Sequence, residues 1–465
     1  MNEQKQKRST RNLRLLPAVF ALAGPAMLEM ALGTAVQYID TAMVGSLGTA
    51  ATAAVGSTGT VNWLVGGTVS AFGVGFLAQI SQRLGAGEEE KARRAAAQSV
   101  LAVLVSGLLF TLLTLGLSGQ VPVWMQVDPG IRELAARYFF ILYSPMLFRA
   151  ANTIFGTVLR AAGDAKTPMR VGIWVNLINV ILNFLLIYAP RRLTILGLSI
   201  PRWGAGWGVI GAAAASAASF VVGGTVMTLR FYAHPVISPR GQSLRPDWAV
   251  LRPCLRISVP NMFQRFGTSL GYVAFATMIN ALGAVPTAAH IIANTVESAF
   301  YIPGYGMMQA AATLTGNSIG AGDLQREKDA SRTIVLLEIV LMTASGALLF
   351  AFAPWLVSFF SKDAAVIRLG SVVLRMVACS EPFYGVCVAV EGMLQGAGET
   401  RMPFVFNMLG MWGVRIVGTW LCTTRLGLGL EAAWICMIGH NLLLFTLFVW
   451  YYYKGGWRRY FLLQR

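Results

Sequence analysis

The feature that most constrains this chain is a nearly uncharged stretch of about twenty residues that returns from one end to the other. Such a stretch can cross the hydrocarbon of a bilayer as a helix, and a helix satisfies its own backbone amides where no water can. Twelve occur, near 17–42, 50–78, 94–117, 132–158, 168–189, 206–230, 254–281, 288–318, 329–353, 368–394, 404–424 and 429–453. Only 12% of the 465 residues are charged and 55% are hydrophobic, whereas a soluble chain carries about 25% charged residues. The expectation is an all-α polytopic membrane protein with twelve spans.

The net charge of +17 is distributed unevenly. About 25 of the 37 Lys and Arg residues fall in the termini and in the loops after even-numbered spans. That bias puts both termini in the cytoplasm of a multi-pass inner or plasma membrane protein. The basic loops then have anionic lipid headgroups as partners, not nucleic acid. The basic N-terminus leads into a span too long for a signal-peptide core, so it is expected to be retained. The five cysteines (Cys254, Cys379, Cys387, Cys422, Cys436) form no CxxC pair and are expected as buried packing thiols.

The chain also matches itself at an offset of 235 residues. LGAGEEEKARRA (84–95) aligns with IGAGDLQREKDA (319–330), and LRAAGDAKTP (159–168) with LQGAGETRMP (394–403). Pro25 falls on Pro260, and Leu47-Gly48 on Leu282-Gly283. Each half holds six spans and so inserts in the same orientation, a parallel repeat about an axis along the membrane normal. The expected divisions are an N-terminal lobe (1–230, spans 1–6), a cytoplasmic linker (231–253) and a C-terminal lobe (254–465, spans 7–12). Pro25 and Pro260 interrupt spans 1 and 7 at equivalent places and are hinge candidates, because proline removes one helical hydrogen bond. The glycine-rich loops are helix ends rather than phosphate cradles, since no GxxxxGK[ST] or GxGxxG follows a strand. No HExxH, no GxSxG and no acid pair at hydrolytic spacing suggests an enzyme.

One acid stands out. Asp40 ends an otherwise uncharged run, and a bare carboxylate in hydrocarbon costs several kcal/mol. It lies roughly 35 Å along its helix from Leu15, at 1.5 Å per residue, hence in the outer half. Asn176, Asn179 and Asn183 share one face of span 5 by their i, i+3, i+7 spacing. Ser216 sits near mid-depth in span 6. Together these residues offer oxygen ligands for a small cation, or hydrogen-bond partners for a carboxyl that gains and loses a proton.

The paired six-span lobes, the GAG loops after spans 2 and 8, LRAAGDAKTP, LQGAGETRMP, GVIGAAAAS and PTAAHIIAN resemble the multidrug and toxic compound extrusion (MATE) family of bacterial type, over about residues 15–450. The resemblance implies a secondary active antiporter that exports organic, often cationic and aromatic, compounds against H+ or Na+, without a cofactor. It implies that Asp40 is the coupling acid of span 1 and Asn179 the span 5 asparagine. Asn183 stands where several members have a second aspartate, and Ser216 where some have threonine. Without that second acid an electrostatic Na+ site at Asp40, Asn179 and Asn183 is weaker, which tips the balance toward protons. The acids of spans 7 and 10 that bind Na+ in some members are replaced by Thr268 and Tyr384.

Secondary candidates are Glu29, which shares the Asp40 face, Asn176, Tyr38, Gln37, Glu381 and His290. An ion pair with Arg375 is an equal reading for Glu381, and mutual pairing of acids and arginines is expected for most mid-span charges. His290 reads first as structural. Small organic molecules and the lipid bilayer are the expected partners of a monomer. The alternative reading, a lipid or lipid-linked oligosaccharide flippase of the same broad superfamily, rests on the mid-span arginines Arg149, Arg265 and Arg415.

Overall fold

The computed structural model describes residues 2–56, 59–195 and 198–458. The first half contains α1 (Asn2–Gly45), α2 (Thr49–Gly56), α3 (Gly59–Gly85), α4 (Glu89–Gly116), α5 (Val121–Trp124), α6 (Arg132–Tyr143), α7 (Met146–Ala161), α8 (Lys166–Leu186) and α9 (Gly208–Tyr232). The second contains α10 (Trp248–Asn280), α11 (Ala284–Phe300), α12 (Ile302–Gly320), α13 (Leu324–Ser358), α14 (Ala364–Ala378), α15 (Glu381–Ala397), α16 (Arg401–Met408), α17 (Val417–Trp420) and α18 (Leu430–Lys454). Between α8 and α9 lies a short antiparallel hairpin, β1 (Arg191–Ile195) and β2 (Leu198–Arg202), which pairs Arg191 with Arg202. It adds a small element to the all-α architecture.

The repeat is visible in the backbone. Helices begin at Thr49 and Ala284, Glu89 and Leu324, Met146 and Glu381, and Lys166 and Arg401, each pair at the offset of the sequence match. Gly163 (φ 86°) and Gly398 (φ 83°) take the left-handed conformation that closes a helix, as do Gly87 and Gly322. An acid then caps the helix that follows. Asp164 Oδ1 accepts from the Thr167 amide at 3.0 Å, and Glu399 Oε1 from the Arg401 amide at 3.0 Å. Asp323 accepts from the Arg326 amide at 2.8 Å. The GD and GE motifs are therefore a helix stop and a helix start in two residues.

Among the described residues, eight helices are long and apolar enough to cross a membrane alone, and α14–α15, bent by 55°, makes nine. The three further expected spans are α6–α7 and α11–α12, each split in the middle, and α10, which carries Arg252, Arg256 and Arg265. The split at Ser144-Pro145 falls on Cys379-Ser380 in the repeat. By contrast, α1 and α10 run as helix through Pro25 and Pro260. Span 11 passes into π-helix at Leu409–Ile416 and again at Leu421–Arg425, a widened winding that is uncommon outside functional segments.

The two halves interlock at the end that bears the basic loops. There α1 packs on α12 and α10 packs on α3, so that Val19, Leu22 and Ala23 join a core otherwise built largely by the second half. Val250 and Cys254 reciprocally join the first half's core. A Cβ on Gly85 would collide with the Asn317 carbonyl oxygen and one on Gly320 with that of Gln82. Gln82 Nε2 donates to Gly396 O at 2.9 Å across the same seam. The linker is tied down as well: Gln98 bonds the Arg245 carbonyl and the Asp247 amide, and Arg94 pairs with Asp247 at 2.5 Å.

Two expectations about side chains need correction. Cys254 and Cys387 are buried, but Cys379 is exposed, and Cys422 and Cys436 face each other with sulfurs 3.8 Å apart. Among the described residues, pairing of mid-span acids with arginines is confined to Glu29 and Arg160, because most of the other acids sit on helix faces that meet glycine or amide side chains.

Candidate functional site

Three helices of the first half bring the polar residues together. Asp40, near the end of α1, is half-buried, while Asn179 and Asn183 on α8 are buried. Asn183 Nδ2 donates to Asp40 Oδ1 at 2.6 Å and lies 3.2 Å from Asn179 Oδ1. The Asn179 amide bridges Asp40 and Ser216. One of its terminal atoms is 3.0 Å from both carboxylate oxygens, and the other is 3.1 Å from Ser216 Oγ on α9. With its nitrogen toward an ionised Asp40, this amide donates to the carboxylate while its oxygen accepts from Ser216. With the opposite orientation, its oxygen can accept from a protonated Asp40. An amide carries both functions on one carbon, so either charge state of Asp40 finds a partner.

The remaining candidates fall outside this network. Asn176 is half-buried and forms no bond to the other two asparagines; Gln37 is exposed. Tyr38 donates to the Thr295 carbonyl of α11 at 3.0 Å, a contact between the two halves. Glu29 shares the α1 face of Asp40 but accepts from Arg160 Nη1 at 3.0 Å, in the one ion pair among the described residues that joins two spans. His290 is buried between the ring edges of Phe275 and Trp434, as a core residue would be.

Glu381 makes no ion pair with Arg375. That arginine donates to the Phe350 carbonyl and lies over the Phe350 ring, whereas Glu381 is fully buried with neither oxygen hydrogen-bonded. Tyr384, where an acid would stand for a second-half sodium site, instead shares a hydroxyl contact with Tyr305 at 3.1 Å. Sequence reasoning did not anticipate that Glu338 lies fully buried and unpartnered as well. Its only signal was to be an acid within an apolar span. Among the described residues no group of three His, Cys, Asp or Glu side chains is arranged to hold a metal ion.

A helical body built from two repeats of apolar, membrane-length helices, with a polar network inside the first half, has the architecture of a membrane transporter. The MatE family model matches residues 25–185 and 260–421, two segments that start at the repeat offset, and the chain belongs to that family. It is 27% identical over 444 residues to a probable multidrug resistance protein NorM of Thermotoga maritima, covering 96% of this chain and 93% of the relative. It is also 27% identical over 409 residues to a multidrug resistance protein MdtK of Cronobacter sakazakii, covering 85% of this chain and 84% of the relative. A crystal structure of MATE in complex with MaL6 superposes with a TM-score of 0.86 at 21% identity, covering 95% of this chain and 97% of the other. The MATE fold has twelve helices in two lobes, as the repeat requires.

Proposed function

We propose that this protein is a secondary active exporter of organic, often cationic and aromatic, small molecules, driven by antiport of a cation that binds at Asp40. The observation that carries the reading is the 2.6 Å bond from Asn183 to Asp40, with Asn179 and Ser216 completing a polar network inside an otherwise apolar half. An acid at that depth is costly unless it has partners or a changing charge. Both relatives described above bear the name multidrug resistance protein, which supports the same substrate class here.

Protons are the favoured coupling ion. Asn183 presents its nitrogen, not its oxygen, to Asp40, so a sodium ion would first have to turn that side chain. A proton needs only the Asn179 amide to present its other end. Lobes at 1–230 and 254–465, cytoplasmic termini and a monomer complete the reading. It is favoured over a flippase because Arg149 and Arg415, which a pyrophosphate would require, lie over aromatic rings of Phe220 and Phe275.

The test is ethidium efflux from vesicles under an imposed proton or sodium gradient, comparing the intact protein with Asp40→Asn. The expected result is proton-driven efflux that the substitution abolishes. Efflux that persists undiminished in Asp40→Asn removes that residue from coupling, and dependence on sodium at a fixed proton gradient reverses the choice of ion.

A further inference from the structure

The second half contains acids that the Asp40 reading leaves unused. Glu338 on α13 and Glu381 at the start of α15 are each fully buried, and all four carboxyl oxygens lack a hydrogen-bond partner. They lie close together. A Cβ on Gly385, one turn beyond Glu381, would stand 2.6 Å from Glu338 Oε1, and one on Gly346, beside Glu338's helix face, 3.4 Å from Glu381 Cγ. Glu297 on α11 is the third acid, an electrostatic neighbour of Glu381 that accepts from the Tyr301 hydroxyl.

A carboxylate without hydrogen bonds, solvent or a counter-charge is far costlier to bury than a neutral acid. No cation faces Glu338 or Glu381 among the described residues. Arg375 on α14 is turned onto Phe350. His290 and His440 are buried beside Arg415, and Tyr301, Tyr305 and Tyr384 supply only hydroxyls. Arg415, the one arginine buried among the described residues, has an unpartnered Nε. It projects from the π-helical segment into a cavity of about 30 Å³ with Asn294, Glu297, Tyr301, Tyr384 and Asn441. One water needs about 10–15 Å³ of such space, so the cavity has room for water between the arginine and Glu297.

We propose that Glu338 and Glu381 form a second proton-carrying site in the second half, exchanging protons with solvent through the cavity at Glu297 and Arg415 during transport. In the conformation described both are carboxylic acids. When Glu381 ionises, its O–H bond breaks and the proton passes to the neighbouring Glu297 carboxylate, which lines the cavity and hands it on to water there, with no electron transferred. Glu381 lies in the first turn of α15, just past the 55° bend. A change in that bend that admits water would let it ionise. The pair differs from the Thr268 and Tyr384 positions and uses an acid of span 9.

The inference rests on the antiport reading but not on Asp40, and two measurements on the purified full-length protein test it. In infrared difference spectra, the carbonyl absorption of protonated carboxyl groups should fall in Glu338→Gln and in Glu381→Gln. On saturation with ethidium in weakly buffered solution, Glu381→Gln should release one proton fewer per transporter than the unsubstituted protein. Asp40→Asn should also lose one proton, independently. An unaltered carbonyl band, or an unaltered proton count in a Glu381→Gln protein that binds ethidium, overturns the inference. Should Glu381→Gln fail to fold, Glu338→Gln is judged by the same two readouts. Full proton loss in Asp40→Asn with none in either glutamine variant leaves the Asp40 reading standing alone. The converse removes Asp40 and keeps the pair.

Discussion

Asp40 and Asn183 illustrate how much one hydrogen bond can decide when water is scarce. A bond to a charged group contributes about 1.5–3 kcal/mol, and 1.4 kcal/mol is about tenfold in an equilibrium constant. Asn183 donates to the ionised carboxylate, so replacing it with Leu should tighten binding of the coupling proton by about ten- to a hundredfold while leaving dye binding in place. Cation-dependent changes in intrinsic tryptophan fluorescence would report the first and ethidium anisotropy the second. Unchanged cation dependence would show that the 2.6 Å contact does not serve coupling. Asp40, Asn179, Asn183 and Ser216 were legible in the chain because one acid and a stack of amides interrupt runs that are otherwise apolar. Glu381 was legible only as a secondary candidate, and its closeness to Glu338 was not, because an acid's neighbours depend on which face of another helix meets it, and every face here is apolar.

At the scale of elements, the seam between the halves is held by backbone approach rather than by side-chain volume. Gly85 and Gly320 lie where α3 and α12 cross, and neither has room for a Cβ. The exchange of α1 and α10 across that seam makes it a two-state contact, since a close-packed interface re-forms or separates rather than stretching. Gly320→Ala should therefore shift the population toward a state separated at the basic end. Spin labels at the exposed positions Glu89 and Leu324 would show a larger share of long distances. An unchanged distance distribution would mean that the helices absorb the methyl group without parting. Pairs of helix ends were predictable from GD and GE because a left-handed glycine and a capping acid act within a few residues. The breaks at Ser144-Pro145 and Cys379-Ser380 and the π-helix of span 11 were not, since packing against neighbours sets them.

Across the whole molecule, two halves of the same orientation that close at one end give a body suited to rocking. Exchange also requires that the two ligands prefer different states, because equal affinity for both shifts nothing. Reversing the imposed cation gradient in vesicles that hold equal ethidium on both sides should therefore reverse net dye flux. A passive pore would give no net flux under the same chemical gradient once the membrane potential is clamped at zero, and that outcome would overturn the antiport reading.

Twelve apolar stretches, a parallel repeat and an isolated acid are properties of composition and spacing, and the sequence alone determined them because hydrocarbon leaves a chain so few solutions. Which polar groups meet was decided only by the tertiary structure. It turned Asn183 toward Asp40, joined Glu29 to Arg160, and left Glu338 and Glu381 with no partner at all. The physical reason is that hydropathy acts through each residue's own transfer from water, whereas a hydrogen bond exists only between groups that packing has brought within about 3 Å.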